Sequence, residues 1–364
     1  MKNLKVIENG QRNGACRARR EAFARELRFA GLPGALLVQP AHLAYFFGLW
    51  GWRQNLPAAG LVSSEGEGVL AVGASADCTY FADRAVLFED SRMSTPVEDR
   101  PQLAVEALLA IVSDPKLLGT DIARFPVTGR NPVVDIITKM RRSKQADEVA
   151  LIQHSVRAIE AGYRALVPVV REGLTEIELY SVFQAAATIY AGVPVGELGN
   201  DFRGGAPAGG PRPVPLRAGD LIPVDAGVAL YNYNSDMCRT YAVSGKRTAL
   251  QETAFQRVRQ GLELAESLIR PGVSCRAVYA EVSDFLTSGT NWRFGHHLGH
   301  GIGLAAVESP RINPNWDDYF QEGDTLTLEP GIYGEGLNEG IRLEQNYVIL
   351  DGKLQPLSTL PLDL

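Results

Sequence analysis

The chain has 364 residues, 45% of them hydrophobic and 21% charged, which is more than one ordinary core accommodates and predicts two globular domains. Its 36 basic and 42 acidic residues give a net charge of −6, so no broad basic surface for nucleic acid is expected, and the mild acidity fits a cytoplasmic enzyme. The opening stretch MKNLKVIENGQRN lacks the apolar core of a secretory signal, and no apolar run reaches the ~18 residues of a membrane span.

In chain order, residues 1–140 read as a mixed α/β domain. A basic amphipathic helix is predicted over about 15–30. Strand-like runs follow at Ala35–Val38, Leu61–Val62, Val69–Val72, Thr79–Phe81 and Ala85–Phe88, and a further helix fits Gln102–Val112. Trp50-Gly-Trp-Arg-Gln54 sets two tryptophans beside a charge, a pair suited to core or dimer-interface packing or to caging a quaternary ammonium. The second domain, 141–364, begins at a charged junction. There Ser143 is the expected N-cap of a long helix whose apolar stripe is Val149, Ile152, Val156, Ile159, Tyr163 and Leu166; His154 falls off that stripe and is expected at the surface.

The second domain repeats itself. Arg171-Glu-Gly-Leu-Thr175, with Thr175 and Glu178 as a capping box, is echoed by Arg270-Pro-Gly-Val-Ser274. Downstream, Gly219-Asp-x4-Asp225-x-Gly227 is echoed by Gly323-Asp-x4-Glu329-x-Gly331, which predicts a pseudo-two-fold α/β domain with Asp225 and Glu329 at equivalent strand ends. Each copy adds a second carboxylate across a reversal, Asp236 after Tyr231–Ser235 and Glu344 after the glycine-rich 334–340 segment. Four converging carboxylates cannot all stay ionised without a counter-charge. A pair of divalent cations supplies it, an oxygen-rich set suits Mn(II)-like ions, and His300, flanked by Gly299, Gly301 and Gly303, adds an imidazole. The cysteines Cys16, Cys78, Cys238 and Cys275 contain no CxxC pair and read as buried free thiols of a reducing compartment.

These residues carry a resemblance. Asp225-Ala-Gly-x5-Tyr233-x2-Asp236-x2-Arg239-Thr240 resembles the first metal motif of the pita-bread metallopeptidases, peptidase family M24, which includes aminopeptidase P, prolidase and the metal-free creatinase. Gly299-His-Gly-Ile-Gly-Leu304 with Glu308-x-Pro310, Leu328-Glu-Pro-Gly-Ile-Tyr333 and Gly340-Ile-Arg-Leu-Glu344 resemble its later motifs, in order. The resemblance implies an RNase-H-like, creatinase-type N-terminal domain followed by a pita-bread domain, as a homodimer. It implies two divalent ions, Mn(II) or alternatively Co, Zn or Fe. Asp236 and Glu344 would bridge both, Asp225 would bind one, and His300 and Glu329 the other. Glu329 would also be the base, and Arg239 and Arg342 would hold the carboxylates, with Tyr233 beside them.

The pattern also departs from the family. Position 307, seven residues after His300, is Val307 where the peptidases carry a histidine, and the 203–211 loop, about 17 residues before Asp225, has none. In the family both contact the substrate and stabilise the tetrahedral intermediate. His296 keeps its family position; His297 is an extra, available as an acid or donor. Arg203 is available to a substrate carboxylate, and Trp50 to a neighbouring subunit's site. The expected activity is metal-dependent hydrolysis of a C–N bond in an Xaa-Pro-like peptide or small amide. The alternatives are a small-molecule hydrolase resembling ectoine hydrolase, a lyase resembling the dimethylsulfoniopropionate lyases of this fold, and a non-catalytic binding protein.

Overall fold

The computed structural model describes residues 9–51, 56–122, 132–196, 198–199, 201–206, 208–243, 245–337 and 340–363. The chain divides into two compact units, Met1–Arg141 and Arg142–Leu364. No described helix is long and apolar enough to cross a membrane.

The first unit runs α1 (Asn9–Phe29), β1 (Gly34–Leu37), α2 (Pro40–Phe47), β2 (Ala58–Ser63), β3 (Gly68–Gly73), β4 (Arg84–Phe88), β5 (Ser91–Arg92), β6 (Thr95–Pro96), α3 (Arg100–Leu109), β7 (Gly119–Thr120) and α4 (Pro132–Arg142). Its mixed sheet has the order β4-β3-β2-β1-β7, parallel at both edges and antiparallel between. Ala104 and Leu108 of α3 pack on Leu36, Ala59, Val69 and Ala71. Helix α2 has no counterpart in the hydropathy pattern, because His42 to Phe47 are all buried and leave no polar stripe to mark a helical period. Its start is held by the buried Asp121 carboxylate, which accepts from Val38 N, Gln39 N and His42 Nδ1. The strand expected at Thr79–Phe81 does not form. Thr79 makes only an isolated bridge to Trp50, and Phe81 N donates to Phe47 O. Trp50 is half-buried, whereas Trp52, Arg53 and Gln54 of the same motif lie outside the described residues.

The second unit is built twice from a helix pair and strands. The first copy is α5 (Ala146–Leu166), α6 (Glu176–Ala191), β8 (Leu221–Leu230) and β9 (Tyr233–Ala242). The second is α7 (Ala249–Leu268), α8 (Cys275–Thr287), β10 (Gly299–Gly301), β11 (Glu308–Ile312), β12 (Thr325–Leu328), β13 (Gly331–Ile332), β14 (Ile341–Arg342), β15 (Gln345–Leu350) and β16 (Lys353–Pro356). The antiparallel pair β12–β15 repeats the antiparallel pair β8–β9. Sheet order in the second copy is β11-β10-β12-β15-β16, and Phe255, Val258, Leu262, Val278, Val282 and Leu286 of its helices pack against Leu326, Leu328 and Tyr347.

Capping residues define the helix starts. Thr175 and Thr248 form reciprocal capping boxes with Glu178 and Gln251, and Ser274 caps α8. The cap of α5 is Gln145, boxed with Glu148, and not Ser143. Ser143 Oγ instead donates to Glu322 O, and Lys144 N to Gly323 O, so the backbone there is already committed to another strand connection. His154, expected at the surface, is half-buried beside Tyr231. Cys16, Cys238 and Cys275 are buried, and none of the four cysteines forms a disulfide.

Candidate metal centre

Two antiparallel strand pairs, β8–β9 and β12–β15, carry the carboxylates. Strands β8 and β9 join through Tyr231 and Asn232 at φ 52° and 67°, the paired positive values of a two-residue type I′ turn. That turn sets the register: Asp225 lies opposite Cys238 and Asp236 opposite Gly227, so both carboxylates project from one face. Glu329 directly follows β12, with its N–H on Leu298 O at 2.8 Å, and Glu344 directly precedes β15, with its N–H on Cys238 O at 3.0 Å. His300 sits on the three-residue strand β10. Its flanking glycines are required by close approach, since a Cβ at Gly299 would collide with Thr327 O and one at Gly301 with Ser309 O.

Asp225, Asp236, His300, Glu329 and Glu344 thus meet around one cavity of about 590 Å³, together with His296, His297, Tyr333 and Arg342. His300 Nδ1 lies 3.1 Å from Gly301 O; with the proton there, Nε2 is left as an acceptor, 3.8 Å from both Asp236 Oδ2 and Glu329 Oε1. Two sets of donor atoms fall within 4.8 Å of one another: His297, His300 and Glu329, and Asp236, His300 and Glu344.

Glu344 tests whether this set suits a cation. It is 1% exposed, and neither carboxylate oxygen has a hydrogen-bond partner among the described residues. A buried carboxylate without a donor is costly as an anion, and it stays ionised here only with a positive charge beside it. Burial, reinforced by the other carboxylates, pushes Asp236 and Glu344 well above the usual carboxylate range. Burial also lifts Asp225, but Arg342 opposes it and Asp225 stops at about 6. Burial would raise Glu329 as well, yet hydrogen bonding and charge from His297 carry it below its ordinary value. The same contact raises His297, while burial lowers His296 and His300. The donor set therefore fits divalent ions.

Surrounding side chains fix this arrangement. Arg342 Nη2 donates to Asp225 Oδ2 at 2.7 Å and to Asp201 Oδ2, and Nη1 donates to Tyr333 Oη at 3.2 Å. Asp201 backbone pairs with Asp225, and its Oδ1 accepts Gly209 N at 2.6 Å. Asn346 receives Asp236 N on its Oδ1 at 3.0 Å and returns Nδ2 to Asp236 O, tying the two copies together. Neither Asp201 nor Asn346 stands in the duplicated pattern. The only signal for them is proximity in sequence, Asn346 two residues beyond Glu344 and Asp201 in the loop leading to β8.

Three expected roles change. Arg239 does not hold a carboxylate; it donates to the backbone carbonyls of Glu344, Cys238, Leu360 and Pro361, fixing the Glu344 main chain instead. Tyr233 Oη donates to Glu148 at 3.0 Å and does not line the cavity. Arg203 does not line it either, and its Nε donates to Gly210 O at 3.0 Å. Glu308 of the second motif forms a 2.5 Å ion pair with the buried Lys144. Val307, and Ala208 of the histidine-free 203–211 loop, line the cavity wall.

A sequence profile described as metallopeptidase family M24 matches residues 150–351, and the chain belongs to that family. It is 27% identical over 221 residues to the Xaa-Pro dipeptidase of Pyrococcus horikoshii, covering 60% of this chain and 62% of that protein. It is 28% identical over 229 residues to the Xaa-Pro dipeptidase of Pyrococcus furiosus, covering 62% and 65%. The chain thus spans under two thirds of the length of these relatives. Its fold matches the X-Pro aminopeptidase from Thermotoga maritima at a TM-score of 0.74 and 23% identity, over 95% of this chain and 99% of that one. It also matches the prolidase from Pyrococcus horikoshii at 0.70 and 19%, over 95% and 98%. The pita-bread architecture implied by the family resemblance is therefore its fold.

Proposed function

We propose that this chain is a metal-dependent hydrolase of a C–N bond, acting on an Xaa-Pro-like peptide or a small amide. The observation that carries the reading is the buried, donorless Glu344 carboxylate within a set of four carboxylates and His300. Asp236 and Glu344 would be shared by two ions, Asp225 would complete one position, and His300 and Glu329 the other. Two divalent ions, Mn(II) or alternatively Co, Zn or Fe, would supply Lewis-acid polarisation of the carbonyl and of the attacking water.

The protein groups divide the remaining work. Glu329, held below the ordinary carboxylate range in the metal-free chain by its 2.6 Å contact with His297, would be the base that takes a proton from water. Arg342 locks the Asp225 rotamer through a buried ion pair. His296 Nε2 and Tyr333 Oη, 2.9 Å apart, form a polar wall of the cavity and would be available to the substrate carbonyl. Ala208, Ala306 and Val307 form the apolar wall and offer no side-chain donor to an oxyanion.

That apolar wall favours a second reading, in which the same centre hydrolyses a small cyclic or N-acyl amide or acts as a lyase on a small carboxylate. The two are separated by mass-spectrometric assay of Mn(II)-loaded protein on Xaa-Pro dipeptides, longer Xaa-Pro peptides and cyclic or N-acyl amino acids, with EDTA controls. EDTA-sensitive release of an amino acid from Xaa-Pro substrates supports the peptidase. Turnover of an amide alone supports the second reading, and a product lacking the mass of water marks a lyase. No bound metal and no turnover anywhere would overturn both. The homodimer belongs to the same proposal and is tested by sedimentation.

A further inference from the structure

We infer that His297 is a further metal ligand, so that the two metal positions differ in donor chemistry. The position at His300 and Glu329 would hold two imidazoles, while its neighbour at Asp225, with the shared Asp236 and Glu344, would hold only oxygen. This inference rests on the metal-dependent reading above.

The geometry distinguishes His297 from its neighbour in sequence. Both nitrogens of His296 are engaged, Nδ1 at 2.8 Å from His297 O and Nε2 at 2.9 Å from Tyr333 Oη. His297 instead points Nε2 at Glu329 Oε1, 2.6 Å away, and its donor atom lies within 4.8 Å of those of both His300 and Glu329. The two rings stand 74° apart in plane with centroids 5.4 Å apart, as they do when two imidazoles approach one point from different directions. Neighbouring ligands bound at ~2.0–2.2 Å to one five- or six-coordinate ion are roughly 3.0 Å apart, so His297 must draw back by about 0.4 Å from its 2.6 Å contact with Glu329. Its side chain is 44% exposed, which leaves solvent on one side for that shift. Without a cation, the same pair is held together by a hydrogen bond between His297 and Glu329.

Donor type then sorts the ions. Imidazole suits Zn(II) and Co(II), whereas carboxylates suit Mn(II). The first equivalent of Zn(II) or Co(II) is assigned to the His297–His300–Glu329 position, and Mn(II) to the oxygen-rich one.

The test is calorimetric titration of metal-free protein with Zn(II) and with Co(II), read together with the visible spectrum of bound Co(II). It compares wild type with His297→Ala, His297→Gln and His300→Ala. Loss of His297 is expected to weaken the first equivalent by at least the ~10–100-fold that removal of an outer partner costs, and to change the Co(II) bands. Glutamine keeps a donor for Glu329 but not an imidazole ligand, so His297→Gln is expected to behave like His297→Ala. Rescue of affinity and spectrum by His297→Gln would overturn the ligand assignment in favour of a hydrogen-bonding role. So would a His297→Ala protein with wild-type affinity and spectrum, provided His300→Ala has lost the first equivalent. Wild-type protein that binds neither ion would overturn the parent reading and this one together.

Discussion

Replacing Glu344 with glutamine separates the cost of the carboxylate from its use. In the metal-free protein the carboxylate is buried with no donor, beside Asp225, Asp236 and Glu329. Glutamine has the same shape without the charge, so the metal-free E344Q protein is expected to melt no lower than metal-free wild type. In wild type, an ion at 100 times its Kd stabilises the fold by about 2.7 kcal/mol. For the second unit, roughly 220 residues, an unfolding entropy of ~2.1 cal/mol/K per residue converts this to a Tm increase of about 6 °C. If E344Q weakens binding ~100-fold, the same metal concentration equals Kd, and the gain falls to about 0.4 kcal/mol, or ~1 °C. Scanning calorimetry of EDTA-treated and Mn(II)-loaded samples of both proteins measures all four midpoints. A full metal-induced shift in E344Q, or a metal-free variant melting far below metal-free wild type, would refute the reasoning.

Val307→His returns an imidazole to the cavity wall. If the apolar wall limits peptide chemistry, kcat on Xaa-Pro dipeptides rises by at least about tenfold, a fraction of what one oxyanion donor can supply, and an unchanged kcat counts against that explanation. Arg342→Met strands two buried carboxylates, Asp201 and Asp225, and is expected to cost ~3–5 kcal/mol in urea unfolding of metal-free protein. Glu160 tests pH dependence away from the cavity. Burial raises its carboxyl, but hydrogen bonds from Ser358 Oγ and Thr359 N and the charge of Arg157 outweigh burial and leave it lowered. A depressed folded value contributes stability above the unfolded value of 4.5 that is lost as pH falls through the folded one. The destabilisation caused by Glu160→Gln, about 1–3 kcal/mol at pH 7, should therefore shrink progressively below pH 4.5 in urea titrations, and a pH-independent difference would contradict the assignment.

The second unit was the more legible part because its signals are local or repeated. The capping box at Thr175 acts within one helical turn. The G-D-x4-[D/E]-x-G pattern marks two equivalent strand connections whatever packs around them. Local chemistry misleads where a distant partner competes for it. Ser143 looks like a cap, but its hydroxyl is taken by Glu322 O, and Gln145 caps α5 instead. Helix α2 escaped detection because burial on all sides erases the periodicity that amphipathic helices show.

The sequence by itself determined the family and the duplicated architecture, and it singled out five residues of ligand type, because each is written in residue types at set spacings. Only the tertiary structure decided what holds and lines the site. Arg342 reaches across the chain to Asp201 and Asp225, and Asn346 to Asp236, while Arg239 turns to backbone carbonyls and Tyr233 to Glu148. It also decided that His297 approaches Glu329 to 2.6 Å, while His296 lies 3.8 Å from it and bonds Tyr333 Oη. Those outcomes depend on side-chain direction and on partners scores of residues away, and neither is encoded in the spacing of a motif.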